Sequence, residues 1–172
     1  MPKVGIIMGS KSDYGIAENV ISVLEEFGIT YDVIVSSAHR TPERTSEWSR
    51  NAEKNGFEAI IAIAGAAAHL AGVVASETNL PVIAVPVSAT TLGGLDALLS
   101  MVQMPGGIPV ATMAIGSSGA KNAGVFACQI LAIKYPEINE RLKKYRNSIK
   151  EKVYQDNESV QEMIFQRGKN IC

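Results

Sequence analysis

The fold of this chain is decided near its beginning, by the stretch VGIIMGSKSD at residues 4–13. Its first five residues are apolar throughout instead of alternating with polar ones, which is typical of a strand buried on both faces of a parallel sheet. A Gly-Ser turn follows at once, and residues 14–27 are predicted to form a helix, with Gly28 at its C-cap. Strand, glycine-containing turn and helix are the opening of a βαβ unit.

The same alternation of short apolar runs and longer helical patterns continues along the chain. Four further strands are predicted, at residues 31–36, 59–63, 81–85 and 109–115. The second helix is predicted to begin with Thr41 as N-cap and Pro42 at its first position. Later helices are predicted at residues 66–77, 94–101 and 119–135, followed by a charged helical tail from Pro136. Since strands that alternate with helices imply right-handed βαβ units, we predict a flavodoxin-like three-layer α/β/α sandwich with a parallel sheet of at least five strands and a C-terminal helical tail.

Length and composition narrow the class of protein. The 172 residues fit a single domain spanning 1–172, and 47% apolar against 19% charged residues allows a real core. A net charge of −1 leaves no basic excess for nucleic-acid phosphates, and no apolar run reaches the roughly 18 residues of a membrane span. The first residues have no signal-peptide layout, and Cys128 and Cys172 suggest neither a disulfide framework nor a zinc site. We expect a cytoplasmic protein that binds neither nucleic acid nor membrane.

Polar residues collect in the loops that follow the predicted strands, where ligands bind in a doubly wound sheet. The five loops are rich in Gly, Ser and Thr and carry the chain's only two histidines; they are residues 9–13, 36–40, 64–69, 86–91 and 116–119. The first loop suits a phosphate, because a Gly-Ser turn before a helix offers N–H groups and hydroxyls to an anion. It matches neither the P-loop nor the dinucleotide fingerprint, which disfavours ATP and NAD. Ser12 or Asp13 taken alone also fits an ordinary helix N-cap.

His39 and Arg40 are a sharper signal. Arginine suits bidentate binding of phosphate, and a neutral histidine beside it can accept or donate a proton near pH 7. A lone His-Arg pair is often a solvent-facing helix entry, but this pair follows a strand and lies opposite the first loop. His69 lies among alanines near a predicted helix start, where a structural role is the commoner one. With no neighbouring cysteine or cluster of carboxylates, the two histidines do not indicate a metal site.

Four motifs together resemble the PurE family, the catalytic subunits of phosphoribosylaminoimidazole carboxylase, whose bacterial branch consists of N5-carboxyaminoimidazole ribonucleotide mutases. The motifs are MGSKSD (residues 8–13), SAHRTP (37–42), AAHL (67–70) and VQMPGGIPV (102–110). The resemblance covers roughly residues 3–150 and leaves 151–172 as a helical tail outside it. Ala66 stands where the family more often has glycine, Ala71 where it often has proline, and residues 88–91 differ from a common Gln-Ser run. The four motifs themselves are whole.

The resemblance implies a binding site for a ribonucleotide. Ser10, Ser12 and Arg40 would hold its 5′-phosphate, and Asp13 its ribose hydroxyls. Further substrate-binding candidates are Ser37, Gly65, Ala66 and Ala67. Residues as small as those at 64–68 allow the backbone to approach a flat ring and a group the size of CO2 closely. The family also implies a homo-octamer with 422 symmetry, without metal or other cofactor.

The chemistry that the resemblance implies belongs to purine biosynthesis. His39 would be the acid and base at the imidazole ring, and His69 would line the pocket for the base and the carboxylate. The expected reaction is the ATP-independent conversion of N5-carboxyaminoimidazole ribonucleotide to 4-carboxy-5-aminoimidazole ribonucleotide, by loss and recapture of CO2. Because a carbamate loses CO2 readily, the protein has only to trap CO2, exclude water and hold the two reactants together.

Two alternative functions stay open at this point. One is a direct carboxylase that takes 5-aminoimidazole ribonucleotide and free CO2; that branch tends to have lysine where Arg40 stands and Ser-Asn where Ala68 and His69 stand. The other is a non-enzymatic flavodoxin-like module that binds a nucleotide or flavin. Paired histidines speak against the module, since simple binding requires no acid or base.

Overall fold

The sheet has five parallel strands in the order β2-β1-β3-β4-β5. The computed structural model describes residues 1–169 of the chain. Its strands are β1 (Lys3–Met8), β2 (Thr30–Val35), β3 (Ala59–Gly65), β4 (Val82–Val87) and β5 (Ala111–Thr112). The strand order reverses between β1 and β3, so the predicted flavodoxin-like sheet is confirmed.

Helices cover both faces of this sheet. They are α1 (Tyr14–Glu26), α2 (Pro42–Arg50), α3 (Leu70–Glu77), α4 (Leu95–Val102), α5 (Ser117–Ala132) and α6 (Pro136–Lys169). One apolar cluster joins the sheet to α1, α5 and the first turns of α6. The other joins it to α2, α3 and α4. The three-layer arrangement and the helical tail are therefore as predicted, with residues 170–172, Cys172 among them, outside the described part of the chain.

The position of β1 inside the sheet, between β2 and β3, explains why its sequence is apolar at every position. Ile6 belongs to the cluster on the α1 side of the sheet, and Ile7 belongs to the cluster on the α2 side. Both side chains are fully buried. Burial of such a side chain contributes about 1.5–3 kcal/mol, so each face of β1 stabilises a different layer.

The end of α1 follows the signal in its sequence. Gly28 has a φ of 63°, a left-handed conformation that glycine adopts without steric penalty. Its N–H donates to Glu25 O at 2.9 Å, and the N–H of Ile29 donates to Leu24 O at 2.8 Å. These two bonds form a Schellman motif, which satisfies carbonyls that the helix leaves without a partner.

The third helix begins four residues later than its sequence suggests, at Leu70 instead of Ala66. Ala66 has a φ of 55°, the one positive value among the described non-glycine residues. A left-handed residue cannot continue into a right-handed helix, so residues 66–69 form a turn and His69 becomes the N-cap. Helical propensity of the alanines is overridden here by the path of the loop.

Ala66→Gly is expected to raise the free energy of unfolding by up to about 1 kcal/mol. Left-handed geometry costs an alanine about 1–2 kcal/mol, and the greater freedom of glycine in the unfolded chain offsets part of that gain. Ala67→Gly, one residue on and without a positive φ, is the matched control and should lose about 0.4–1 kcal/mol. Urea unfolding of both variants measures this. An Ala66→Gly variant less stable than the Ala67→Gly one would contradict the interpretation.

The fifth strand is much shorter than predicted, with two residues instead of seven. Its ladder with β4 has only two pairs, although the N–H of Gly116 still donates to Pro86 O at 2.9 Å. Pro86 has no N–H to return to β5, so the regular ladder stops beside it. The apolar pattern of residues 109–115 reflects partial burial rather than continuous strand pairing.

The small residues of α5 pack inside the molecule. A side chain at Gly124 would lie 2.8 Å from Val23 Cβ, so glycine lets α5 approach α1 closely. Cys128 on the same helix is a buried free cysteine, and burial raises the pKa of its thiol to about 12. It is therefore an inert core residue. Of the helices described, including the 34-residue α6, none is long and apolar enough to cross a membrane.

Candidate active site

A cavity of about 350 Å³ lies at the edge of the sheet where the strand order reverses. This is where a doubly wound fold binds its ligand, and the volume is in the range of small-molecule sites. The lining residues are Gly9, Ser10, Ser12, Asp13, Ser37, Ala38, His39, Arg40, Ala64, Gly65, Ala66, Ala67, Ala68, His69, Leu70 and Ala89. They come from the loops after β1, β2, β3 and β4.

The cavity brings together all ten residues that the sequence singled out. The cavity is also lined by residues that the sequence analysis did not single out. The most informative of them is Ala89, because it comes from a fourth loop, the one after β4. Its position at the carboxyl end of a strand was a usable signal, but alanine has no chemistry of its own to draw attention. The loop at 116–119 contributes nothing to this cavity, although its composition matches that of the others.

The two histidines form a hydrogen-bonded pair. His39 Nε2 lies 2.9 Å from His69 Nδ1, and the rings meet edge to face at an interplanar angle of 87°. One nitrogen must donate a proton and the other must accept it, so the contact holds a single N–H. A second proton at this contact would set two N–H groups against each other and break the bond. The pair is thus suited to passing one proton at a time.

Arg40 lies across the loop that follows β1. Its Nη2 donates to Gly9 O at 3.0 Å, and its Nε donates to Ser37 Oγ at 3.4 Å. Among the described residues no carboxylate lies within ion-pair distance of this guanidinium. Arginine presents five N–H donors, so donors remain for an anionic ligand at the cavity edge.

The residue of this loop whose side chain caps a helical turn is Ser10, and not Ser12 or Asp13, for which the N-cap role was the ordinary alternative. Ser10 Oγ accepts from Ser12 N at 3.2 Å and from Ser12 Oγ at 3.0 Å, at the start of a short 3-10 turn, Lys11–Asp13. Asp13 behaves differently, since it makes no side-chain cap bond to α1. Burial raises the pKa of the Asp13 carboxyl, and a hydrogen bond from Ser12 lowers it by less. A buried carboxylate that does not cap its helix suits a ligand that brings hydroxyl donors.

The floor of the cavity is built from backbone and methyl groups. A side chain at Gly65 would lie 2.6 Å from Ala89 Cβ and 3.1 Å from Val87 O, so only glycine fits. Ala68 is buried beside it. Within the part of the chain that the structure describes, no three His, Cys, Asp or Glu side chains come together as a metal site requires.

Comparison with known proteins agrees with this geometry. Residues 3–152 match the family described as AIR carboxylase. The chain belongs to the AIR carboxylase family. The matched segment contains every residue of the cavity, and the family match ends within α6.

Relatives in the AIR carboxylase family align over most of the chain. The N5-carboxyaminoimidazole ribonucleotide mutase of Thermotoga maritima is 53% identical over 170 residues, covering 99% of this chain and 98% of that protein. The protein of the same name from Pyrococcus abyssi is 59% identical over 150 residues, covering 87% of this chain and 85% of that protein. The crystal structure of Treponema denticola PurE superposes on this chain with a TM-score of 0.82 at 33% identity. The superposition covers 92% of this chain and 98% of that one.

Proposed function

We propose that this chain is an N5-carboxyaminoimidazole ribonucleotide mutase of purine biosynthesis. The observation that carries the proposal is its identity of 53–59% to relatives so named in Thermotoga and Pyrococcus, together with a small cavity that holds a histidine pair. Arg40, Ala68 and His69 are the residues that the resemblance associates with the mutase branch, and all three line that cavity.

The ribonucleotide would lie along the switch point with its phosphate at the β1 loop. Arg40 has donors to spare there, and the hydroxyls of Ser10 and Ser12 lie beside it at the start of a helical turn. Asp13 would accept hydrogen bonds from the ribose hydroxyls. Such bonds would favour its ionised form and so offset the effect of burial on its pKa. The imidazole ring would then lie over the backbone of Gly65.

The reaction moves a carboxyl group and one proton. The carbamate C–N bond breaks, its electron pair stays on nitrogen, and nitrogen gains a proton as CO2 forms. The ring, now electron-rich, attacks CO2 through its 4-carbon and forms the new C–C bond. The proton on that carbon then leaves to His39, which restores the aromatic ring. Atoms and protons balance without ATP, because one proton leaves carbon and one joins nitrogen.

The histidine pair suits this proton balance. Its single shared N–H can be supplied to the departing nitrogen and recovered from the 4-carbon in the next step. His39 would be the partner at the ring, as the resemblance implies, and His69 would orient it from the N-cap of α3. Recapture of CO2 would be favoured over escape if the cavity holds the released CO2 close to the ring.

Rates of turnover of two substrates, the carbamate and 5-aminoimidazole ribonucleotide, distinguish the mutase from a direct carboxylase. We expect rapid conversion of the carbamate without ATP, and carboxylation of 5-aminoimidazole ribonucleotide only at high bicarbonate. Labelled CO2 in solution should enter the mutase product poorly, since the carboxyl group stays in the cavity. Ultraviolet absorbance follows each reaction, with a His39→Asn variant as the control for spontaneous decay of the carbamate. Efficient use of 5-aminoimidazole ribonucleotide at low CO2, with no turnover of the carbamate, would assign the chain to the carboxylase branch.

We also propose that the cytoplasmic enzyme is a homo-octamer, as the resemblance implies. The small residues of α5 pack against α1 within one chain, so they give this proposal no support. A stripe of exposed apolar residues on and before α4 does support it. The stripe recurs every three or four positions at Leu92, Leu95, Leu99 and Val102. Contiguous exposed apolar residues on a helix are typical of a protein–protein interface.

Light scattering is expected to give a mass eight times the 18.3 kDa of one chain at micromolar concentration. Leu95→Glu should lower that mass, because a charge buried in an interface is costly. Ile133→Glu, at an isolated exposed position between α5 and α6, is the matched control and should leave the mass unchanged. A monomeric mass for the unmodified protein would contradict the proposed octamer. It would not bear on the proposed reaction, which the turnover measurements test.

A further inference from the structure

Two buried hydroxyl groups lie beside the turn that carries His39. Ser36 directly follows β2 and is 2% exposed, and Thr45 near the start of α2 is fully buried. A buried hydroxyl is costly unless it is hydrogen-bonded. Together with Thr41, the N-cap of α2, these residues make a bonded group that we call the hydroxyl cluster.

The hydroxyl cluster joins both ends of the turn at residues 37–41. Ser36 Oγ lies 2.8 Å from Thr45 Oγ1 and 3.1 Å from Thr41 Oγ1. Thr41 Oγ1 accepts from Ser37 N at 2.9 Å and lies 3.1 Å from Ser37 O. Thr45 Oγ1 can also donate to Thr41 O at 3.1 Å. The end of β2 and the first turn of α2 are thus tied through three side chains.

The protons of the hydroxyl cluster allow few arrangements. Three hydroxyl protons serve four contacts, those of Ser36 with Thr45 and Thr41, of Thr45 with Thr41 O, and of Thr41 with Ser37 O. Each hydroxyl donates once, so at most three of the four bonds form at one time. Moving the turn relative to α2 would break more than one of these bonds.

His39 depends on this turn for its position. The ring is exposed, and among the described residues its one side-chain hydrogen bond is to His69, on another strand's loop. The position of the His39 ring must therefore be set by the backbone between Ser37 and Thr41. An apolar pair at 36 and 45 would fill the same space but would not set a direction, whereas hydrogen bonds are directional.

We propose that the hydroxyl cluster is a positioning device for His39, holding the histidine at the geometry that proton transfer requires. The inference rests on the proposed function of the cavity. Displacement of a reacting group by about 1 Å costs a rate factor of up to about 100. Ser36 and Thr45 touch neither the cavity nor the substrate proposed for it, so they act only through the turn.

The test uses the whole protein and a control from the same helix. Thr45→Val removes the central hydroxyl at nearly constant volume. Ser49→Ala is the matched control, because Ser49 is equally buried and donates to Thr45 O at 2.8 Å, one turn further from His39. Ser36→Ala combined with Thr45→Val removes both partners of the buried bond, and Thr45→Ser restores the hydroxyl.

We expect Thr45→Val to lower kcat about 10-fold or more, and Ser49→Ala to lower the melting temperature comparably with kcat unchanged. The double variant should keep the low kcat, because both partners of the buried bond between β2 and α2 are then gone. Thr45→Ser should restore kcat. The chain has only two histidines, so NMR of their ring C–H groups should show both signals shifted in Thr45→Val and unmoved in Ser49→Ala.

A double variant with the kcat and histidine signals of the unmodified protein would overturn the inference, as would equal losses of kcat in Thr45→Val and Ser49→Ala. Failure of the unmodified protein to convert the carbamate would instead contradict the proposed function. In that case the histidine signals alone decide the role of the hydroxyl cluster, since they require no turnover.

Discussion

Replacing His39 by asparagine is expected to lower turnover of the carbamate by a factor on the order of at least 100, while nucleotide binding persists. In the proposed mechanism this change removes the acid–base group that would take the proton from the 4-carbon. His39 lines the cavity and meets His69 at 2.9 Å, so asparagine would also remove one side of the shared N–H contact. In the proposed site the phosphate contacts would come from other residues and should remain.

Steady-state kinetics and a direct nucleotide-binding measurement on the same preparation check this expectation. His69→Asn is the informative comparison, because two residues that act as a unit lose little more when both are removed than when one is. The variant with both histidines replaced should therefore be no more than a few-fold slower than His39→Asn. A His39→Asn protein with nearly unchanged turnover would remove this residue from the mechanism.

Replacing Arg40 by alanine is expected to weaken binding of the ribonucleotide far more than binding of the matching nucleoside. Each lost charge-assisted hydrogen bond is worth about 1.5–3 kcal/mol, or about 10- to 150-fold in affinity. The nucleoside lacks the phosphate that these bonds would reach. Arg40 also holds Gly9 O at 3.0 Å, so a small loss common to both ligands is expected as the β1 loop relaxes.

Calorimetric titration with both ligands gives the ratio directly. Arg44→Ala is the control, because Arg44 is an exposed arginine of α2 that does not line the cavity. Ser10→Ala should act in the same direction as Arg40→Ala, but it also removes the N-cap of the 3-10 turn, worth about 0.5–2 kcal/mol of stability. Equal losses for nucleotide and nucleoside in Arg40→Ala would place the phosphate elsewhere.

Local patterns in the chain were sufficient where local forces decide the structure. The continuous apolar run of β1 marked a strand buried on both faces, and Gly28 marked the end of α1. The carboxyl ends of the strands marked the edge at which the site forms. The helix expected from Ala66 failed because the left-handed φ of that residue comes from the loop's path between β3 and α3, which propensity does not describe.

The residue types of the site were readable from the sequence, because acid–base and phosphate chemistry require few kinds of side chain. Their mutual geometry was not. His39 and His69 are 30 positions apart and meet because β2 and β3 flank β1, which sets their loops on either side of one strand end. Likewise, a serine at the end of a strand and a threonine inside a helix look ordinary in the sequence. Only the structure shows that Ser36 Oγ and Thr45 Oγ1 lie 2.8 Å apart. The sequence by itself determined which groups this protein has available and at which edge of the sheet they collect. Only the tertiary structure decided which of them touch, because a hydrogen bond depends on distances of tenths of an ångström between segments whose separation along the chain carries no such information.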